Sequence, residues 1–147
     1  TDVWEMSNTT GPYSRFQLKQ YIEQTQNDLF ADRQLRLMIE NGNRQVVGIV
    51  DLCSFDPLHN RAEVGIMVDK SCRRQGIGRN ALALLEEHCF RYLGIHQLFA
   101  YIAVENLPSR RLFAACGYKE SAVLKEWAHT FGGGYTDVLV VQKLNLS

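Results

Sequence analysis

Arg73-Arg74-Gln75-Gly76-Ile77-Gly78 stands between an apolar run, Val64-Gly65-Ile66-Met67-Val68, and a segment from Arg79 to Tyr92 with apolar residues at three- and four-residue spacing. The run predicts a buried strand and the segment a helix, so the order is strand, basic glycine loop, helix. Two glycines let the backbone approach a ligand closely and take dihedrals a side chain forbids. The backbone N–H groups of Gln75 to Arg79 lack partners inside the helix and point out of its positive end. Such an end suits a phosphate or pyrophosphate, and Arg73 and Arg74 add charge beside it.

Three readings of this loop compete. A glycine pair can simply end a strand and start a helix. Gly76-Ile77-Gly78-Arg79-Asn80-Ala81 also matches the dinucleotide fingerprint, but that fingerprint follows its strand directly, and here Lys70 to Gln75 intervene. The chain before it reads as an antiparallel meander, without the repeated strand-helix-strand units of a dinucleotide fold. The third reading needs a second motif, found where Val104-Glu105-Asn106 leads into Ser109, Leu112, Phe113, Gly117 and Tyr118. Together with Arg73-x-x-Gly76-x-Gly78, this resembles the GCN5-related N-acetyltransferases (GNAT), in motif order and spacing and over nearly the whole chain. The pattern, with Arg61-Ala62-Glu63 opening a strand and Trp4-Glu5 near the start, is most similar to spermidine/spermine acetyltransferases and to ribosomal-protein N-terminal acetyltransferases.

The resemblance implies an α/β (α+β) fold: a mixed, mostly antiparallel sheet with helices on both faces and one parallel strand pair splayed at its C-terminal ends. It implies acetyl-coenzyme A as co-substrate, with no metal. Backbone groups of Ile66, Met67 and Val68 would pair with the pantetheine arm. Arg73, Arg74, Gln75, Gly76, Ile77, Gly78 and Arg79 would hold the pyrophosphate, and Asn106 with Ser109 would face the arm near its far end. Asn106 also reads as a plain helix cap, and the two roles are compatible. Glu63 is the candidate general base, against a solvated residue paired with Arg61; Glu105 is the alternative base. Backbone N–H groups of Met67 or Val68 would stabilise charge on the thioester oxygen. One departure stands out: many members carry a tyrosine as general acid where this chain has Phe113. Tyr118, Tyr101 or water would then protonate the departing thiolate, or none is needed.

Length and composition bound these readings. The chain has 147 residues, 46% hydrophobic and 22% charged, which is one ordinary domain with enough core to fold without staples. Its formal net charge is +0, so a nucleic-acid partner is not indicated and the arginines act locally. Cys53, Cys72, Cys89 and Cys116 form no C-x-x-C pair and read as reduced thiols of a cytoplasmic protein. His59, His88, His96 and His129 show no metal-ligand spacing. No apolar run is long enough to cross a bilayer, so no membrane partner is expected.

Along the chain, Asp2-Val3-Trp4-Glu5 reads as the tail of a helix entered midway, so the domain spanning 1–147 reads as lacking its first strand at the N-terminus. That leaves a sheet edge open or filled by something else, and admits a homo-oligomer. A helix is expected from Ser14 through Gln26, with Ser14 and Gln17 as a capping box. Leu35 to Ile39 alternates into a strand, Asn41-Gly42-Asn43 is a hairpin turn with positive φ, and Gln45 to Phe55 is the partner strand. Gly48 inside it marks a bulge or a close approach. Arg61 to Asp69 completes the meander, Gln97 to Val104 is a strand parallel to it, and Leu107 to Cys116 is a short helix. Glu120 to Thr130 and Tyr135 to Leu144 form a final hairpin.

The expected activity is acetyl transfer to a primary amine, with a polyamine such as spermidine or spermine as best fit. A protein N-terminus, ribosomal or other, or another small amine is the alternative acceptor. A non-catalytic acyl-coenzyme-A sensor is the alternative function.

Overall fold

A computed structural model describes residues 3–7, 17–21, 29, 33–72 and 76–146, the first two stretches as backbone alone. Among the described residues, eight strands form one sheet: β1 (Val3–Ser7), β2 (Gln17–Tyr21), β3 (Leu35–Glu40), β4 (Val46–Asp56), β5 (Arg61–Val68), β6 (Gln97–Ala103), β7 (Lys119–Thr130) and β8 (Gly134–Leu144). Their order is β1-β2-β3-β4-β5-β6-β8-β7. Helix α1 (Ile77–Glu87) joins β5 to β6, and α2 (Leu107–Ala115) joins β6 to β7. Every pairing is antiparallel except β5 with β6, which a helical crossover makes parallel.

The meander β3-β4-β5 and the β7-β8 hairpin form where alternation and turn residues place them. The left-handed residue of the β3-β4 turn is Arg44, at φ 61, rather than one of Asn41-Gly42-Asn43. Asn41 instead uses its side-chain oxygen to accept from the amides of Asn43 and Gln45, at 2.9 and 3.0 Å.

Two expectations for the start are corrected. Val3–Ser7 is a strand, not a helix tail, and Gln17–Tyr21, inside the expected helix from Ser14 through Gln26, is also a strand. Gln17 pairs with Glu40 and Lys19 with Met38, so β2 covers the edge of β3. A row of unpaired backbone groups along β3 rewards a strand beside it, and five residues of weak helical periodicity yield to that pairing. The expected cap at Ser14 lies outside the described residues.

One face of the sheet carries the core. Leu37, Val50, Leu98 and Ala62 are fully buried there, and α1 lays Ala81, Leu82 and Leu85 against them. Fully burying one such leucine contributes about 1.5–3 kcal/mol. Phe113 from α2 and Tyr118 join the same cluster. After Glu87 the helix widens into one π-helical turn, His88–Tyr92, closed by Leu93 N–H to the His88 carbonyl at 3.1 Å. Gly94 stops it at φ 66.

At the far edge, β7 is exposed along most of its length and broken by two register shifts against β8. Glu126 takes φ 47 at the second shift, and its amide donates to Asp137 Oδ1 at 2.8 Å. That bond, with Lys125 at 3.2 Å, holds the Asp137 carboxyl below its ordinary pKa.

Candidate active site

The parallel pair is short. Arg61 meets Gln97, Ala62 meets Leu98 and Glu63 meets Phe99, and there the pairing ends. Both strands continue: β5 stays on β4 as far as Val68 opposite Gly48, and β6 stays on β8 as far as Ala103 opposite Val138. Each wall is held from outside, and a gap opens between Val64–Val68 and residues 100–103. Alternate backbone groups along these inner edges face the gap instead of a strand.

Gly48 sets how closely β5 sits on β4 beside the gap. A Cβ there would lie 2.5 Å from the Met67 carbonyl oxygen, 3.0 Å from Ile39 Cδ1 and 3.2 Å from Val68 Cα. Only glycine lets β5 lean this far onto β4. This is the close approach that Gly48 signals in the sequence.

The start of α1 sits at the mouth of the gap. Gly76 takes φ 76 and ψ 8, and as N-cap it has no side chain to cap the helix. The first helical bond runs from Asn80 N–H to the Gly76 carbonyl at 3.0 Å, so the amides of 77–79 precede it. Gly78 lets the helix begin tight against its neighbours: a Cβ there would lie 3.2 Å from Leu112 Cδ2 and 3.7 Å from Ile66 Cδ1. Arg79 is exposed. Arg73, Arg74 and Gln75 lie outside the described residues.

Asn106 closes the other wall. Its Oδ1 accepts from Ser109 N–H at 3.2 Å, the cap its position implies, and its own N–H donates to the Ala103 carbonyl at 2.9 Å. Arg110 bridges the Val104 carbonyl at 3.0 Å and Glu120 at 3.2 Å, which fixes this turn against β7. Sequence reasoning passed over Arg110, because nothing local marks its partners.

Glu63 stands at the vertex, half-buried, with Cys53 across on β4 and Phe99 across on β6. Burial, then the Glu63 charge, pushes the Cys53 thiol above its ordinary pKa. Arg61 forms its ion pair with Asp56, at 3.7 Å, rather than with Glu63. Glu105 is exposed in the turn after β6.

Phe113 is 3% exposed and meets Tyr118 edge to face at 4.9 Å. The Tyr118 hydroxyl is buried facing Glu86. Burial, and then the Glu86 charge beside it, drives that hydroxyl far above its ordinary pKa, so it holds its proton. Glu86, on the buried side of α1, receives a hydrogen bond from Lys143 Nζ at 2.8 Å, and Lys143 also donates to the Cys116 carbonyl. This polar cluster belongs to the core, with the C-terminal half of α1.

The residues present fit a nucleotide thioester. The gap offers strand edges to an extended polar arm, and the open helix end with its two glycines offers amides to a pyrophosphate. Among the described residues, no three His, Cys, Asp or Glu side chains gather as metal ligands, and no helix is long and apolar enough to cross a membrane.

Comparison with known proteins agrees with this geometry. The chain is 27% identical over 128 residues to spermidine N(1)-acetyltransferase of Vibrio cholerae, covering 86% of this chain and 72% of that protein. It is 34% identical over 102 residues to the putative phosphinothricin acetyltransferase YwnH of Bacillus subtilis, covering 65% of this chain and 59% of that one. The structure superposes on the N152L mutant of Vibrio cholerae spermidine N-acetyltransferase SpeG with TM-score 0.73 at 26% identity, over 76% of this chain and 64% of that one. A dodecameric SpeG structure gives TM-score 0.74 at 25% identity, over 80% and 68%. The chain thus spans between about three fifths and three quarters of the length of these relatives. Residues 1–119 match the family model described as Acetyltransferase (GNAT) domain, and with the splayed parallel pair and the glycine-opened helix this shows that the chain belongs to the GNAT acetyltransferase family.

Proposed function

We propose that this domain transfers the acetyl group of acetyl-coenzyme A to a primary amine, and that the amine is a polyamine such as spermidine or spermine. The observation that carries the reading is the gap between β5 and β6, with Glu63 at its vertex and the open end of α1 at its mouth. The choice of polyamine is supported by the likeness to spermidine acetyltransferases.

In this reading, backbone groups of Ile66, Met67 and Val68 bind the pantetheine arm as a further strand. Gly76, Ile77, Gly78 and Arg79 hold the pyrophosphate together with Arg73, Arg74 and Gln75, and Asn106 and Ser109 contact the arm from the other wall. Acetyl-coenzyme A supplies an acetyl group activated as a thioester. The amine must be neutral to attack, and deprotonating an amine of pKa near 10.4 at pH 7 costs roughly 4–5 kcal/mol. Glu63 takes that proton, directly or through one water. The N–H of Met67 or Val68 donates to the oxygen that gains charge. The chain works in the cytoplasm, supported by four free thiols, and assembles with itself, supported by the dodecameric relative.

Incubation with acetyl-coenzyme A and spermidine, spermine, short diamines, an Ala- or Ser-starting peptide and free amino acids, read by mass, tests this. Acetylated polyamine is the expected product, and acetylation confined to the peptide moves the acceptor to protein N-termini. Phe113 favours a second reading, a coenzyme sensor without catalysis. Its signature is no product while coenzyme A still raises Tm; neither product nor stabilisation overturns both readings.

A further inference from the structure

The two walls of the gap carry little chemistry. Beyond the vertex, β5 contributes Val64, Gly65, Ile66, Met67 and Val68, and β6 contributes Ala100, Tyr101, Ile102 and Ala103. Tyr101 is the single side chain among these nine that can donate a proton. It is 46% exposed and lies on the same face as Phe99, against which its ring rests edge on at 5.8 Å. Phe99 is the register partner of Glu63, so Glu63 and Tyr101 share one face of the sheet, a single pleat apart across the opening.

Continuing the register brings Gly65 opposite Tyr101. Among the described residues, a Cβ at Gly65 would touch nothing nearer than Asp51 Cβ at 3.9 Å. Among the described residues, the charged or titratable groups near them on this face include Asp51, held by Arg36 at 2.8 Å, Cys53, Arg61, paired with Asp56, and Lys119 beyond Gln142; β8 sets Val140 beside Tyr101. The alternatives for a proton donor fail on position: Phe113 has no hydroxyl, and Tyr118 is buried beside Glu86.

We propose that Tyr101 is the general acid of this site, delivering its phenolic proton to the sulfur that leaves. The proposal rests on the acetyltransferase reading above. The amine nitrogen bonds to the acetyl carbon and the C–S bond breaks. Glu63, once it has passed the ammonium proton to solvent, takes the second proton from the nitrogen, the thiolate takes the Tyr101 proton, and solvent removes the one and restores the other. Acid and base thus stand on one face of the opening, and the role that many family members give to α2 falls here to β6.

The test is Tyr101→Phe, which keeps the ring and its contact with Phe99. We expect kcat to fall roughly 10²-fold, the scale of one general acid. The coenzyme KM should stay within about twofold, as for loss of a group acting only in the transition state. An active variant with unchanged kcat overturns the proposal, as does a fall in kcat that raises the coenzyme KM in step. Wild type inactive on every amine overturns the function itself, and is distinguishable because the variant then has nothing to lose.

Discussion

Replacing Gly48 by alanine tests the origin of the gap. The new Cβ would lie 2.5 Å from the Met67 carbonyl oxygen, about 0.9 Å inside ordinary contact, and 3.2 Å from Val68 Cα. Both obstacles are backbone of a paired strand, so no side chain can swing aside. The end of β5 must move toward β6, narrowing the gap where the pantetheine arm would lie. Overpacking of this kind costs about 1–3 kcal/mol. For a domain of this size that lowers Tm by roughly 2–12 °C. The effect on turnover should be larger, because misplacing a binding wall by ~1 Å costs on the order of 10²-fold. We expect kcat/KM for acetyl-coenzyme A to fall by that order and the Tm rise from coenzyme A to shrink. Gly132→Ala, at a position with nothing within 4 Å, is the control and should change neither. If Gly48→Ala loses stability yet binds coenzyme A as before, the lean of β5 does not set the gap. If it loses neither, the close approach itself is wrong.

Other perturbations separate the remaining roles. Glu63→Gln should lower kcat by roughly 10²–10⁴-fold, as loss of a general base does; unchanged turnover would return Glu63 to a vertex residue without chemistry. Phe113→Tyr should leave turnover within a few-fold while lowering stability by about 1–3 kcal/mol, since a hydroxyl enters a buried site without a partner. A hundredfold gain in kcat would show that an acid on α2 is limiting. Lys143→Met strands the Glu86 carboxylate in the core and should cost about 3–5 kcal/mol at pH 8 by urea unfolding. Burial already raises the Glu86 pKa, so this group's contribution is full at low pH and is lost as pH rises through its folded value. The deficit of the variant should therefore shrink at pH 5, and a deficit equal at both values would rule out the charge as its cause.

Much of the sheet was legible because its signals are local. Leu35 to Ile39 alternates, Gly76 and Gly78 sit where φ or close packing excludes a side chain, and Asn106 caps the helix its spacing announces. The start was misread because Gln17–Tyr21 is too short to separate strand from helix, and what decides it is the β3 edge, distant in sequence. The site was legible in its motifs but not in its depth. Gly48 marks a close approach in the sequence, but its partner, the Met67 carbonyl on the next strand, is not announced by anything local. Tyr101 stands in the sequence as one of several candidate proton sources, and only the register, which puts it on the Glu63 face, separates it from Tyr118. Lys143 and Glu86 are 57 residues apart, and no pattern joins them.

The left-handed residue at Glu126 has a bearing on how the molecule behaves in a crowded solution. An outermost strand as long as β7 offers a straight row of amides and carbonyls on which a foreign chain could stack. Two slips of register and one amide turned back to Asp137 break that row into short, differently aimed pieces. A stacking neighbour would find no run of bonds in phase, so the exposed border resists fibrous growth without being covered.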